Sequence, residues 1–384
     1  MVAPDVPGPI AIVNRSINGT GTVLKSIEIA GALQDAGQPV ELWAMGDEGT
    51  MRHRVPPGVP VVAIGGAALS GPFAAPYAIA RAVKKRRPAV LLSGGKHFHI
   101  ASRLGLAFSG RRRLTRFGGR ASNPAVHPHV SPFWQWTQVM SLRLKYGGMD
   151  FTVAVTRELE DELHRLLGEV RCEITTIPNG VDVHGVRARA AKPADHPWIG
   201  DNNGPVIVAV GRLAPQKGFD ILIAALARLR KTGGRHRLII LGGGHGVYPD
   251  GLRTLAVRLG VADAVSFAGF VDDPVPIVAR ADLFAVASRW EGASNALLEA
   301  IATPVPLVAT DCPTGNRALL ENGALGTLAV PEDPDALAAA ILRELAIVRD
   351  PGHRAAAALR HDLGRCLDRY VQLLSRQRSL APVG

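Results

Sequence analysis

The sequence predicts an α/β protein built from two Rossmann-like domains, each a doubly wound parallel sheet with helices on both faces. Three observations predict it. The chain has 384 residues, too many for one ordinary core and suited to two domains. Apolar residues make up 47% and aromatics only 5%. Cores built from Ala, Val and Leu fit sheets covered on both faces. Short aliphatic runs alternate with helical periodicity through the first half, and the alternation restarts after residue 204.

Residues 9–14 read as a short buried strand, followed by a Gly19-Thr20-Gly21 turn and a helical period over 22–36. Strands follow at 39–44, 59–64, 89–92, 113–117, 150–155 and 173–177, with helices between them. Residues 186–204 are rich in Ala, Pro, Asp, Asn and Gly and show no clear period, so they read as the connection between domains. Strands then recur at 206–210, 238–241, 265–267, 283–286 and 306–309. A helix over 219–231 places Leu222, Ala225, Leu226 and Leu229 on one stripe, and another covers 335–349. The expected division is 1–182, a linker at 183–204, 205–362, and a helical tail at 363–384 that packs back on the first domain.

The formal net charge is +11, and it is uneven. Residues 1–180 hold 21 basic against 13 acidic residues, and 181–384 hold 23 against 20. Between Gly49 and Met149 there are 16 Lys and Arg and no acid. Such a run suits an acidic partner: phospholipid headgroups, nucleic acid or a phosphorylated substrate. The plainer account is solubility of a basic chain. Cys172, Cys312 and Cys366 are odd in number and far apart, which argues for a reducing compartment and against a disulfide framework. No leader pattern opens the chain, and the apolar stretch 66–83 is broken by Gly71, Pro72, Pro76 and Arg81. The expectation is a cytoplasmic protein, either soluble or peripheral on the inner face of the membrane.

Two stretches carry chemistry. Ser288-Arg289-Trp290-Glu291-Gly292-Ala293-Ser294-Asn295 follows a strand and opens a helix. Ser294 or Asn295 can cap that helix, and its first N–H groups suit an anion. Glu291 in the loop and Glu299 in the helix can face one crevice, where carboxylates accept hydrogen bonds from sugar hydroxyls. A merely capped helix with solvated acids is the alternative. Gly211-Arg212-Leu213-Ala214-Pro215-Gln216-Lys217-Gly218 also follows a strand. Arg212 and Lys217 can converge on a diphosphate, both to bind it and to stabilise it as a leaving group. Alone, this is a basic loop.

Together these residues resemble the retaining glycosyltransferases of GT-B fold that carry a Glu-x7-Glu motif, the family 4 and group 1 type. Glu291 and Glu299 reproduce that spacing. Gly211-Arg212 and Lys217-Gly218 match the phosphate loop, and Leu241-Gly242-Gly243-Gly244 with 265–269 is similar to the nucleoside-side strands. Pro178-Asn179-Gly180-Val181-Asp182 is similar to the hinge signature, and Thr310-Asp311-Cys312-Pro313-Thr314-Gly315 fits a subset. The likeness is strong over 150–345 and holds in outline before it.

The resemblance implies two domains facing a central cleft and a nucleotide-sugar donor, a UDP-sugar by family weight, as substrate and not as cofactor. It implies that Arg212 and Lys217 hold the diphosphate, Glu291 contacts the sugar, and Glu299 holds ribose hydroxyls. Gly292, Ala293, Ser294 and Asn295 would offer backbone N–H groups. Gly269 and Phe270 would lie near the base, and Gly19, Thr20 and Gly21 would line the cleft. The acceptor would be a lipid-linked or envelope glycan, and the acid-free run in the first half would meet an anionic membrane surface or a phosphorylated acceptor. Catalysis would be electrostatic and metal-free, through Glu291, Arg212 and Lys217, with retention and no protein nucleophile. Where many members carry a His in a first-domain loop, this chain has Arg120-Ala121-Ser122-Asn123-Pro124, leaving Arg120, Asn123 or His127 to meet the acceptor. Asn18-Gly19-Thr20-Gly21 also departs from the commoner adjacent-glycine form.

His97/His99 and His127/His129 share strand-like spacing that could suit a metal. With no Cys or acid beside them they read as loop or core residues. Residues 131–146 form an amphipathic aromatic helix with Arg143 and Lys145, able to rest on a membrane or to pack inside. A nucleotide-sugar epimerase of the same fold is the nearest alternative. A basic nucleic-acid binder lacks reader modules and stacking patterns, and a dehydrogenase lacks Gly-x-Gly-x-x-Gly after the first strand.

Overall fold

A computed structural model describes residues 7–18, 21–65, 73–95, 98–124, 132–168, 172–244 and 246–382. The chain folds as two compact units, 1–179 with 364–384, and 180–363.

The first unit runs β1 (Ile10–Val13), α1 (Gly21–Asp35), β2 (Val40–Ala44), β3 (Val61–Ala63), α2 (Ala74–Arg86), β4 (Val90–Ser93), α3 (His99–Phe108), β5 (Arg116–Ala121), α4 (Pro132–Tyr146), β6 (Phe151–Ala154), α5 (Arg157–Leu167) and β7 (Glu173–Thr176). Among the described residues these strands form a parallel seven-stranded sheet, ordered β3-β2-β1-β4-β5-β6-β7. β1, β4 and β6 are buried along their whole length, Ser93 and Thr152 included, as strands of a sheet covered on both faces are.

The second unit runs α6 (Val183–Ala190), β8 (Val206–Val210), α7 (Phe219–Lys231), β9 (Arg237–Leu241), α8 (Val247–Arg258), β10 (Val265–Gly269), α9 (Val275–Ala279), β11 (Leu283–Val286), α10 (Asn295–Ile301), β12 (Leu307–Thr310), α11 (Asn316–Leu319), β13 (Thr327–Ala329), α12 (Pro334–Ala346) and α13 (Pro351–Arg360). Its six-stranded parallel sheet is ordered β10-β9-β8-β11-β12-β13. Two apolar clusters, one on each face, bury it: Val208, Ile239 and Phe284 join one, and Ile207, Ile240 and Leu283 the other. Both sheets reverse direction beside their first strand, the order of a doubly wound fold.

The chain returns to the first unit in α14 (Leu363–Ser379). Tyr370, Leu373 and Leu374 enter the core beside β1, β2 and α1. Arg116 donates to Gln377 (3.0 Å) and Arg378 to the carbonyl of Pro7 (2.7 Å), fixing the helix along its length.

Three elements differ from the sequence reading. The strand expected at 113–117 is β5, which starts at Arg116 and continues through Gly118 and Gly119. Glycine pairs usually interrupt strands. Here the Phe151 ring fills the place of a Gly118 side chain, at 2.3 Å from where a Cβ would stand. The stretch expected as a featureless linker contains α6, whose Val183 and Val186 are buried in the second core. β13 is three residues long, too short for a period to show.

Arg120 is the largest correction. Offered with Asn123 and His127 as one of three residues to meet the acceptor, it is instead 1% exposed inside the first unit. Its Nε donates to the Tyr370 hydroxyl (2.9 Å) and its Nη2 to the Asn179 side-chain oxygen (3.1 Å). The Tyr370 ring also lies 5.7 Å from the guanidinium. A buried cation needs such acceptors, and they come from the last residue before the chain leaves the unit and from the helix that brings it back. Tyr370→Phe keeps the ring and deletes one acceptor. The expected loss is about 1.5–3 kcal/mol, read as a lower urea midpoint by circular dichroism.

Candidate functional site

In the second unit β8 and β11 are parallel neighbours. From β8 the chain moves outward through β9 and β10. From β11 it moves the other way through β12 and β13. Open α/β sheets bind ligands at such a reversal, outside the carboxyl ends of the strands, where the loops that follow β8 and β11 begin. The two chemistry-bearing stretches are these two loops.

The first loop is laid against the end of β9. Gly211 N–H donates to the Leu241 carbonyl and Leu213 N–H to that of Gly243, both at 2.9 Å. It closes in a 3-10 turn over Pro215–Lys217 and enters α7 through Gly218, with φ of 62°. The second loop is tied to it. Arg289 N–H donates to the Gln216 carbonyl (2.8 Å), and the Gln216 amide donates to the Trp290 carbonyl (3.0 Å).

Arg289 also grips Asp220, in the first turn of α7, with both guanidinium nitrogens (2.9 and 2.7 Å), and reaches the Pro215 carbonyl (2.7 Å). Glu332 lies 2.7 Å from its Nε. Burial alone would raise the Asp220 pKa, but Arg289 and the Tyr248 hydroxyl outweigh it and hold the carboxyl down. Hydrogen bonding to Asp220 raises Arg289 in turn. This bidentate pair is fixed and charged at neutral pH.

Inside that frame Lys217 Nζ meets Glu291 Oε1 at 2.5 Å, and the Ser288 hydroxyl donates to the same oxygen at 2.7 Å. The Glu291 side chain is 6% exposed and that of Lys217 is 23% exposed. Thr310 donates to the Ser288 carbonyl (2.6 Å) and Thr314 to that of Glu291. Arg212 is exposed and makes no ion pair among the described residues. Cys312 is buried nearby. Burial and then the Glu291 charge push its thiol up to about 12, so it stays protonated and is no nucleophile.

Of the two residues offered as the cap of α10, Ser294 takes the role, its hydroxyl accepting the Leu297 N–H at 3.4 Å. Gly292 is buried, and Ala293 and Asn295 are half-buried. Glu299, in the second turn, is held by Arg189 (3.2 Å), which also reaches Asp273 (3.0 Å). Arg189 was missed because α6 lay in the stretch read as linker. Gly269 ends β10 with φ of 75°, and Phe270 beyond it is exposed.

In the first unit Gly21 starts α1, while Gly19, Thr20 and His127 lie outside the described residues. Asn123 is half-buried after β5. His99 is fully buried, its ring nitrogens engaged by Ser93 (2.7 Å) and the Arg120 carbonyl (3.1 Å). His97 and His129 are not among the described residues. Among those that are, no three His, Cys, Asp or Glu side chains gather as a metal ion would need.

The loop entry at Gly218 is tightly constrained. A Cβ there would stand 2.0 Å from the Ala287 carbonyl oxygen, in a left-handed backbone conformation. Gly218→Ala is expected to cost more than the ~1–2 kcal/mol of the backbone term alone. Gly37→Ala, with φ of 70° and nothing within 4 Å, is expected to cost only that term. Paired denaturant titrations check the difference.

Known proteins resemble the chain in both units. The family model "Glycosyltransferase Family 4" matches residues 17–184, and "Glycosyl transferases group 1" matches 204–346. The lipopolysaccharide core biosynthesis glycosyltransferase LpsE of Rhizobium meliloti is 34% identical over 197 residues, 49% of this chain and 53% of that protein. The N-acetylgalactosamine-N,N'-diacetylbacillosaminyl-diphospho-undecaprenol 4-alpha-N-acetylgalactosaminyltransferase of Campylobacter jejuni is 34% identical over 158 residues, 41% of this chain and 40% of that protein. The chain thus spans about half the length of the curated relatives it matches. Among solved structures, Anabaena HepE in complex with UDP and glucose superposes with a TM-score of 0.77 over 96% of this chain and 100% of that one, at 21% identity. That likeness establishes the fold, GT-B. With one model on each unit, the chain belongs to the group 1 and family 4 glycosyltransferases.

Proposed function

We propose that the protein transfers a sugar from a nucleotide-sugar donor to a lipid-linked or cell-envelope glycan, with retention at the anomeric carbon and without a metal ion. The observation that carries this reading is the Lys217–Glu291–Ser288 contact, framed by Arg289 across the strand-order reversal. A cation at such a crevice suits a diphosphate, and an adjacent carboxylate suits sugar hydroxyls.

Arg212 and Lys217 bind the diphosphate and stabilise the charge that grows on it as the glycosidic bond breaks. Glu291 orients the sugar. Glu299 takes ribose hydroxyls, and Gly269 and Phe270 border the base. The acceptor hydroxyl attacks on the face the diphosphate leaves, and a leaving-group oxygen receives its proton. UDP as the nucleotude carrier is supported by the HepE complex with UDP and glucose, and the envelope acceptor by the names of LpsE and the Campylobacter enzyme.

An anionic membrane as the working surface is supported by the first unit. Phe73, just before α2, and Tyr77, Arg81, Lys84 and Lys85 on it are exposed at helical spacing. On α4, Phe133, Trp136, Arg143 and Leu144 are exposed likewise, with the Phe133 and Trp136 rings stacked at 6.4 Å. Aromatics followed by cations along an exposed face suit the membrane interface. Among the described residues no helix is long and apolar enough to cross a membrane.

A thermal-shift panel of nucleotide-sugars and bare nucleotides identifies the donor. With it, Glu291→Gln is expected to lower kcat by about 10²–10³-fold, and Arg212→Ala to weaken nucleotide binding in calorimetry while the fold survives. Wild-type affinity in Arg212→Ala and wild-type kcat in Glu291→Gln would reject the site. A new nucleotide-sugar isomer formed without acceptor would assign an epimerase.

For the membrane, Phe133→Ala with Trp136→Ala is expected to weaken co-sedimentation with anionic vesicles. Binding by the unmodified protein should fall with salt. Equal binding to neutral vesicles would reject the electrostatic part.

A further inference from the structure

Arg189 joins three elements of the second unit. Its Nη2 donates to Glu299 on α10 (3.2 Å) and its Nη1 to Asp273 in the turn after β10 (3.0 Å). Asp273 is itself fixed by the Val275 N–H (3.4 Å). The base of the strut is rigid. α6 is capped by Asp182, which accepts the Gly185 N–H at 2.8 Å, and Val183 and Val186 anchor it in the core.

The three side chains are each about 30% exposed, at 29%, 28% and 31% for Arg189, Asp273 and Glu299. They are therefore within reach of a ligand and only partly screened by water. Glu and Arg are long side chains that lose much freedom when held still. A planar guanidinium bridging two carboxylates holds both orientations at once, which a lysine ammonium does not.

We propose that Arg189 is a positioning residue for the donor's ribose. It fixes the Glu299 carboxylate so that this group accepts the 2′-hydroxyl, and thereby makes the second unit distinguish ribonucleotides from 2′-deoxyribonucleotides. The proposal rests on the reading of Glu299 as the ribose contact. An ionised carboxylate has about four lone-pair directions, so a bond to Arg189 is compatible with one to a hydroxyl. Without Arg189, the like charges of Asp273 and Glu299 would repel each other and displace the Glu299 carboxylate from its present orientation. Burial by itself lowers the Arg189 pKa, but Glu299 and Asp273 outweigh it and the net shift is upward. The strut therefore stays charged across the neutral range.

The test is calorimetry of the full chain with UDP, GDP and ADP and with their 2′-deoxy forms. The unmodified protein is expected to bind the ribo form of its preferred nucleotide about 10-fold or more tightly than the deoxy form, as loss of a hydrogen bond to a charged group implies. Arg189→Met should bring that ratio to within about 2-fold, mainly by weakening the ribo form, and Arg189→Lys should leave an intermediate ratio. A purely structural role would weaken both forms alike and keep the ratio. A ratio in Arg189→Met equal to or larger than that of the unmodified protein overturns the proposal. If Arg189→Met melts early, Arg189→Lys decides, since an unchanged ratio there rejects the need for the planar fork. Glu299→Ala, which removes the acceptor, separates the two layers. If it retains the ratio, or if the unmodified protein shows none, the ribose reading itself fails. If Glu299→Ala abolishes the ratio and Arg189→Met does not, only the role of Arg189 fails.

Discussion

The site depends on the reversal of strand order between β8 and β11. These two adjacent parallel strands lead to helices on opposite faces, α10 in one apolar cluster and α7 in the other, and their loops meet at the strand ends. Neighbouring strands lie only about 4.8 Å apart, so residues far apart in sequence emerge side by side. Lys217 and Glu291 are 74 positions apart and touch at 2.5 Å. Nothing local in either loop would produce that contact. The sheet produces it, and the apolar clusters on its two faces hold the sheet.

Around that contact the second unit uses fixed charges as scaffolding. Arg289 closes both loops onto Asp220, and Arg354 does the same work at the far end of α10. It is 6% exposed and donates to the carbonyls of Pro304 (3.1 Å), Ala300 (3.4 Å) and Val305. Burial lowers its pKa to about 10, so it remains a cation at neutral pH. The short helix that carries Glu299 is thus held by Ser294 at its start and by a guanidinium at its end, where exposed carbonyls favour positive charge. Buried ion pairs contribute little net stability against hydrophobic replacements. Their use here is to hold two loops and a helix in one geometry.

Much of this was legible in the sequence because it is periodic or local. Aliphatic runs gave most strands to within a few residues, and both loops were found from residue type and position after a strand. Three kinds of feature were hidden. Gly118-Gly119 reads as a break until Phe151 is seen to fill the vacant side-chain space. α6 has no clear apolar period, so Arg189 went unnoticed although it contacts Glu299. Arg120 reads as a loop cation, and only the return of α14 reveals the Tyr370 hydroxyl that accounts for its burial. All three depend on contacts between distant segments, which periodicity does not encode.

On the proposed reading, donor binding exchanges partners. Lys217 leaves a carboxylate for a phosphate, and Glu291 leaves an ammonium for sugar hydroxyls while keeping the Ser288 bond. Each new bond is charge-assisted, like the one it replaces, so neither group passes through an unpaired buried state. That matters because stranding one member of a buried pair costs several kcal/mol. Arg212, exposed and without an ion pair among the described residues, gives up no such pair and adds attraction from the start. The site can therefore remain ordered before the ligand arrives and need little rearrangement when it does, the condition under which electrostatic stabilisation of a departing diphosphate is most effective.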